Sequence, residues 1–239
     1  MEILDVNTLF GPLPIASADL SVEMLLGQMQ KHQVKSACTL STLGLMLDPG
    51  VGNAATLAAC NEHPELLPVA TLNPTLYLGD EAPIASLRSD GFRMIRFFPA
   101  TQGWPIDFAP FLTLVERLRA VGLPLMIEAE RPGDATALQR ALADYPAPVI
   151  LAGTDSTTFA EVIACLRRNT GWYLETSRLL GAGCLKAAAD AIGLGRLLFG
   201  TSAAYRPIAS ALQTVRYSGL SEPEIAQLLG QNARQVLGL

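Results

Sequence analysis

The sequence predicts an α/β chain folded as one (β/α)8 TIM barrel, and three observations carry the prediction. Eight short β-type runs alternate with longer amphipathic runs. Most of the eight are almost unbroken in apolar residues, the pattern of strands covered on both faces and therefore of a parallel sheet. Spread over 239 residues, eight units take about 30 residues each, the size of a compact barrel repeat. Parallel strands need right-handed crossovers, and the intervening runs supply them. An open doubly wound sheet is the alternative. It calls for a Gly-rich turn directly after the first strand, and residues 8–14, Thr-Leu-Phe-Gly-Pro-Leu-Pro, are not one. No linker, charge run or low-complexity segment divides the chain, so residues 1–239 are expected to form a single domain.

In chain order, strands are expected at 3–7, 34–41, 67–72, 92–98, 124–129, 149–152, 172–176 and 197–201. The first helix, 21–33, carries Val22, Leu25, Leu26 and Met29 at i, i+3, i+4, i+7 spacing. After the second strand, Gly50-Val-Gly52-Asn-Ala-Ala55 has the outline of a dinucleotide fingerprint but begins nine residues too late for one. It reads as a Gly-rich helix entry, with Asn53 as its expected cap. A helix over 108–120 stops at Gly122, a C′ glycine. Further helices are expected at 134–144 and 158–168, the second closed by Arg167 and Arg168 in favour of its dipole. Gly181-Ala-Gly183 is a loop before the seventh helix. Ser221-Glu-Pro-Glu224 is a capping box with Pro in the first turn, opening a helix over 222–237.

Composition limits the partners. Half of the residues are hydrophobic and 16% charged, and the mean hydropathy is +0.31. Such a chain buries a large core and is not disordered. Its net charge of −5 argues against a nucleic-acid surface. The apolar stretches break well before the roughly 18 residues of a membrane span, and MEILDVNTLF lacks the basic region of a signal peptide. Cys38, Cys60, Cys165 and Cys184 form no CxxC pair and no zinc spacing. They read as buried thiols of a reducing compartment, which points to the cytoplasm. Little charged surface is left for a monomer of this size, so an apolar patch and a homodimer are expected.

Active sites of such barrels lie at the C-terminal ends of the strands. Those ends bring Asp5, Asn7, Thr42, Asn73, Arg96, Glu128, Glu130, Asp155, Glu175, Ser177 and Ser202 into one polar ring. Trp104, in the loop after the fourth strand, either walls the mouth or serves as a packing residue. Glu128 among apolar walls (Leu9, Phe98, Met126) would have its pKa raised, as a general acid or base requires. Arg96 would orient a carboxylate or phosphate. In a second version Asp5, Glu128 and Asp155 gather a hard cation such as Mg2+. The plainest version is a solvated rim in which Glu128 merely neutralises Arg96. The only histidines, His32 at the first helix end and His63 below the third strand, lie away from the mouth. That removes a His-rich metal site and any Ser-His-Asp mechanism. A nucleophilic Cys lacks a cationic neighbour.

Several motifs resemble one family along almost the whole chain. Asp5-Val-Asn7-Thr-Leu9 stands where its members have Asp-x-His-x-His. His63-Pro-Glu65 and Thr71-Leu-Asn-Pro74 are similar to its Tyr-Pro-Asp turn and x-x-Asn-Pro strand end. Gly91-Phe-Arg-Met-Ile-Arg96 resembles its fourth strand. Leu123-Pro-Leu-Met-Ile-Glu128 stands for Leu-Pro-x-x-x-His. Val149-Ile-Leu-Ala-Gly153 stands for a strand ending in His, and Trp172-Tyr-Leu-Glu-Thr-Ser177 for Tyr-x-Asp-Thr-Ser. Leu198-Phe-Gly-Thr-Ser202 stands for Leu-Phe-Gly-Thr-Asp, and Asn232-Ala-Arg234 for a terminal Asn-Ala-x-x-Leu. The family is the amidohydrolase-related metal-dependent hydrolases and decarboxylases. The resemblance implies an amidohydrolase-like barrel and self-association. It also implies that the family's metal-ligand positions fall on Asn7, Leu9, Glu128 and Gly153, and its catalytic aspartate on Ser202. Leu9 and Gly153 offer no ligand atom, so no metal and no other cofactor is expected.

The expected function is a divergent, metal-independent hydrolase or lyase acting on a small carboxylated or cyclic compound. The alternative is a pseudoenzyme that binds a small ligand or a protein partner. The candidate residues are Glu128 and Arg96 for chemistry, with Asn7, Asn73, Trp104, Asp155, Glu175 and Ser202 for binding a small polar or anionic molecule.

Overall fold

The computed structural model describes residues 2–14, 19–181 and 183–239. Eight strands run in sequence order around one sheet, and every neighbouring pair is parallel. They are β1 (Ile3–Asp5), β2 (Val34–Thr39), β3 (Leu66–Thr71), β4 (Met94–Phe97), β5 (Leu125–Glu128), β6 (Val149–Ala152), β7 (Trp172–Glu175) and β8 (Leu197–Leu198). Bonds past the strand ends close the ring between β8 and β1. Val6 N–H donates to Phe199 O at 3.0 Å, Ser202 N–H to Asn7 O at 2.8 Å and Leu9 N–H to Ala203 O at 2.6 Å. This is the expected (β/α)8 barrel. Several strands are shorter than the apolar runs suggest, because their last residues leave the ladder and turn into the mouth.

The period of two sorts each strand. On β4, Ile95 and Phe97 face the helices, while Met94 joins an inner cluster with Leu4, Val69, Met126, Ile150 and Leu198. Arg96 lies between Ile95 and Phe97 and therefore shares the inner face with Met94. The helices form the outer layer: α1 (Val22–Lys31), α2 (Leu43–Met46), α3 (Pro49–Glu62), α4 (Ala82–Ala85), α5 (Pro99–Gln102) and α6 (Ala109–Val121), then α7 (Asp134–Ala141), α8 (Phe159–Arg168), α9 (Cys184–Ile192), α10 (Ile208–Arg216), α11 (Glu222–Ala226) and α12 (Asn232–Leu237). Gly122 ends α6 in the left-handed region, φ 63°, as expected.

Two local expectations are corrected. Asp48, not Asn53, caps α3, accepting from Val51 N–H at 3.0 Å. Asn53 lies inside the helix and ties it to β3 through the Thr71 backbone, at 2.8 and 3.0 Å. Gly52 of the fingerprint-like segment serves packing: a Cβ there would collide with the Gly44 backbone of α2. The terminal helix is not continuous over 222–237. The capping box forms, with Glu224 accepting from Ser221 N–H at 2.8 Å, but a π-turn at Gln227–Gln231 separates α11 from α12. There the Asn232 amide donates to the carbonyls of Leu194 and Leu197, each at 2.8 Å, so the widened turn fits the helix to the barrel base. Ala233 and Val236 of α12 then plug the base. No helix among the described residues is long and apolar enough to cross a membrane.

Candidate functional site

A cavity of about 210 Å3 opens at the C-terminal strand ends. Its floor is polar, with Asn7, Arg96, Glu128, Ser177 and Ser202; Leu9, Leu13, Leu45, Met46 and Phe98 wall one side. Glu130, Arg178, Tyr205 and Arg206 stand at its rim. Short α2 delivers Leu45 and Met46, and the close Gly44–Gly52 crossing with α3 makes that placement possible.

Arg96 is the centre of the floor. Its Nη1 donates to Asn7 Oδ1 at 2.6 Å, its Nη2 to Glu128 Oε1 at 3.1 Å, and its Cζ lies 4.4 Å from the Phe98 ring centroid. The side chain is 5% exposed and Nε has no partner among the described residues. Such a cation is pinned in place. Glu128, 14% exposed, has its pKa pushed up by burial; the Arg96 charge opposes that and Glu130 adds to it.

Two more carboxylates lie deeper. Glu175 is fully buried, and burial pushes its pKa up against hydrogen bonds from the Ser177 N–H and hydroxyl at 2.6 and 2.9 Å. Gly200 leaves room for it, since a Cβ there would collide with the carboxylate. Asp5 is also fully buried, accepting from the backbone of Asn7 and Thr201 and from the Thr201 hydroxyl. Burial raises its pKa to about 7 despite those bonds, and the nearby Glu175 adds to the rise. Ser202, after β8, has φ 61°, a conformation costly for a residue with a Cβ.

Of the residues expected at the site, the structure brings Asn7, Arg96, Glu128 and Ser202 to one cavity, with Glu175 bonded beneath it through Ser177. Three expected binding residues are elsewhere. Trp104 is buried outside the strands against Phe111, centroids 4.9 Å apart, and Phe97, 6.1 Å. Its loop folds back into α5 instead of over the mouth. Asn73 accepts from Thr75 N–H and Oγ1 and so caps the short turn Pro74–Leu76. Asp155 is held by Thr157 and by Arg178 at 3.3 Å, and faces a neighbouring cavity. Asp5, Glu128 and Asp155 therefore do not form a cation site, and among the described residues no three His, Cys, Asp or Glu side chains come together as metal ligands.

Sequence reasoning missed Arg178 and Arg206. Arg178 pairs with Glu130 at 3.1 Å and with Asp155; Arg206 pairs with no carboxylate among the described residues. Arg178 directly follows the strand-end Ser177 and was one residue beyond the ring. Arg206 carries no sequence signal, because a loop brings it back over the mouth, its N–H bonded to Ser202 O at 2.9 Å.

Comparison with known proteins gives one family and one fold. The family model described as "Amidohydrolase" matches residues 50–239. A search of the curated proteins returned no match. Among solved structures, a 2,6-dihydroxybenzoate decarboxylase complexed with 2,6-dihydroxybenzoate superposes with a TM-score of 0.78 at 13% identity, covering 100% of this chain and 99% of that one. A 5-carboxyvanillate decarboxylase from Sphingomonas paucimobilis gives 0.75 at 15% identity, with 100% and 99% covered. An amidohydrolase from Burkholderia multivorans with bound zinc gives 0.74 at 18% identity, with both chains fully covered.

Proposed function

The chain belongs to the amidohydrolase family, and we propose that its barrel mouth is a metal-free site that binds a small carboxylated or cyclic molecule and acts on it as a hydrolase or lyase. One observation carries the reading: the Arg96 guanidinium lies against both Asn7 Oδ1 and Glu128 Oε1. These are two of the positions where the resemblance puts metal ligands. The donor set does not fit a transition metal, which is held mainly by imidazole and carboxylate. Leu9 and Gly153 bring no donor, and a divalent ion at the remaining oxygens would sit beside a fixed positive charge.

The residues at hand then divide the work. Arg206 draws a ligand anion to the rim, and Arg96 supplies positive charge at the floor. Glu128, with its pKa raised, holds or releases a proton toward the cavity. Asn7 and Ser202 offer polar contacts, and Leu9, Met46 and Phe98 take the apolar body. The cavity is smaller than the roughly 300–1,000 Å3 of drug-sized sites, which favours a small ligand.

Binding without turnover is the second reading, for a small ligand or a protein partner. What favours it is that Arg96 and Glu128 spend their charges on each other. Calorimetry in the presence of a chelator tests the metal-free site that both readings share. Benzoate and cyclohexanecarboxylate are expected to bind, their amides to bind poorly, and Arg206→Ala to weaken the acids about tenfold, the worth of one charged hydrogen bond. Binding that needs added zinc or manganese sinks the metal-free reading. A turnover screen with Glu128→Gln as control then decides between enzyme and binder.

The same reading takes residues 1–239 as a single domain and a cytoplasmic homodimer. The dimer rests on the chain's composition, half of its residues hydrophobic and 16% charged, and a clean monomer in sedimentation at micromolar concentration would refute it.

A further inference from the structure

The hydrogen bonds under the cavity have a direction, and both ends set it. At one end stands Arg96, which can only donate. Its contact with Asn7 Oδ1 turns the Asn7 NH2 toward the two serines, with Ser177 Oγ at 3.4 Å and Ser202 Oγ at 3.3 Å. At the other end stands Glu175, which can only accept when ionised. Its Oε1 takes the Ser177 N–H at 2.6 Å, and its Oε2 takes the Ser177 hydroxyl proton at 2.9 Å. Ser177 has then spent its one proton. The two hydroxyls are 3.2 Å apart, so Ser202 donates to Ser177 and not the reverse. At Ser202 the proton is used, one lone pair faces Asn7, and one lone pair is left on the cavity side.

We infer that Glu175 is a positioning residue that makes Ser202 an obligate acceptor, so that the cavity selects a carboxylate also carrying a hydroxyl or amino donor over the same molecule with that donor capped. The inference rests on the carboxylate reading above. The buried niche kept for Glu175 by Gly200 and the left-handed backbone of Ser202 are what hold the two ends of this chain in place.

The test is calorimetry at mildly alkaline pH with lactate, 3-hydroxybutyrate and mandelate, each beside its O-methyl ether. The wild-type protein is expected to bind at least one hydroxy acid about tenfold more tightly than its ether, the ratio one net hydrogen bond supports. Glu175→Gln reads the direction itself. The Ser177 N–H keeps the amide oxygen, so the amide NH2 is left to donate to Ser177 Oγ. The chain reverses, Ser202 turns its proton to the cavity, and alcohol and ether, both acceptors, bind alike. A mere steric cost of the methyl group would persist in Glu175→Gln, and that persistence overturns the inference. Equal binding of all three pairs by the wild type overturns it too, while leaving the carboxylate site standing. If none of the six acids binds, the carboxylate reading falls and takes this one with it. Should Glu175→Gln fail to fold, Ser202→Ala replaces it: the preference must vanish there, and its survival is a refutation.

Discussion

Two layers of the barrel interior lie one step apart on the same strands and differ completely. Below, Met94 of β4 and Met126 of β5 pack with Leu4, Val69, Ile150 and Leu198 over the plug formed by α12. Two residues further along the same two strands, on the same face, stand Arg96 and Glu128. The backbone period that sends a side chain inward is identical in both layers. What changes is whether a polar partner is within reach. The lower layer is sealed, and an unpaired charge there would cost several kcal/mol. The upper layer has Asn7, the serines and an open cavity, so charge is tolerated where it is paired. The barrel thus separates stability from chemistry by a rise of two residues.

The largest expected effect tests the lower layer. Met94→Ala, at a side chain with no exposure, should cost about 2–5 kcal/mol in urea unfolding, as cavities in sealed cores do. A loss under about 1 kcal/mol would mean the layer repacks and that the contrast is overstated.

Next comes the upper layer. Arg96→Met leaves Glu128 without its counter-charge. Breaking a buried pair costs about 3–5 kcal/mol, but Glu128 borders the cavity and can take up a proton, so about 1–3 kcal/mol is expected at neutral pH. The double variant Arg96→Met, Glu128→Gln should recover part of that loss. If it is no more stable than the single variant, the pair is not what holds the floor together.

The third test is read against pH and concerns the buried acid below Asn7. The Asp5 pKa rises from 3.8 to about 7 on folding. Between those values the folded protein holds a proton that the unfolded chain has released. Asp5 therefore lowers stability as pH rises through that window, and its effect is level above it. Glu128 and Glu175, also raised, act with the same sign. Asp5→Asn should flatten the fall in stability from about pH 4 to pH 7. An unchanged slope would show that Asp5 stays ionised and that its bonds to Thr201 outweigh burial.

Much of this molecule was determined by the sequence alone. Eight apolar runs at a spacing of about 30 residues dictated a parallel barrel, because unbroken apolar strands need cover on both faces. The left-handed Gly122 and the capping box at Ser221 were legible because they depend on neighbours in the chain. So was the gathering of Asn7, Arg96, Glu128 and Ser202, which follows from their places at the strand ends. Only the tertiary structure decided the rest. Trp104 and Asn73 sit where loops fold back, and loop paths depend on contacts distant in sequence. Asn53 gave up a cap for β3, and the helix at 222–237 yielded a π-turn to Asn232, because bonds to another element outweighed local preference. Arg206 and Arg178 reached the mouth through loops with no period to read. The direction of the Ser177–Ser202 pair is a property of neither residue, since hydrogen-bond polarity is imposed by the charged groups at the ends of the chain, Arg96 and Glu175, which only folding brings together.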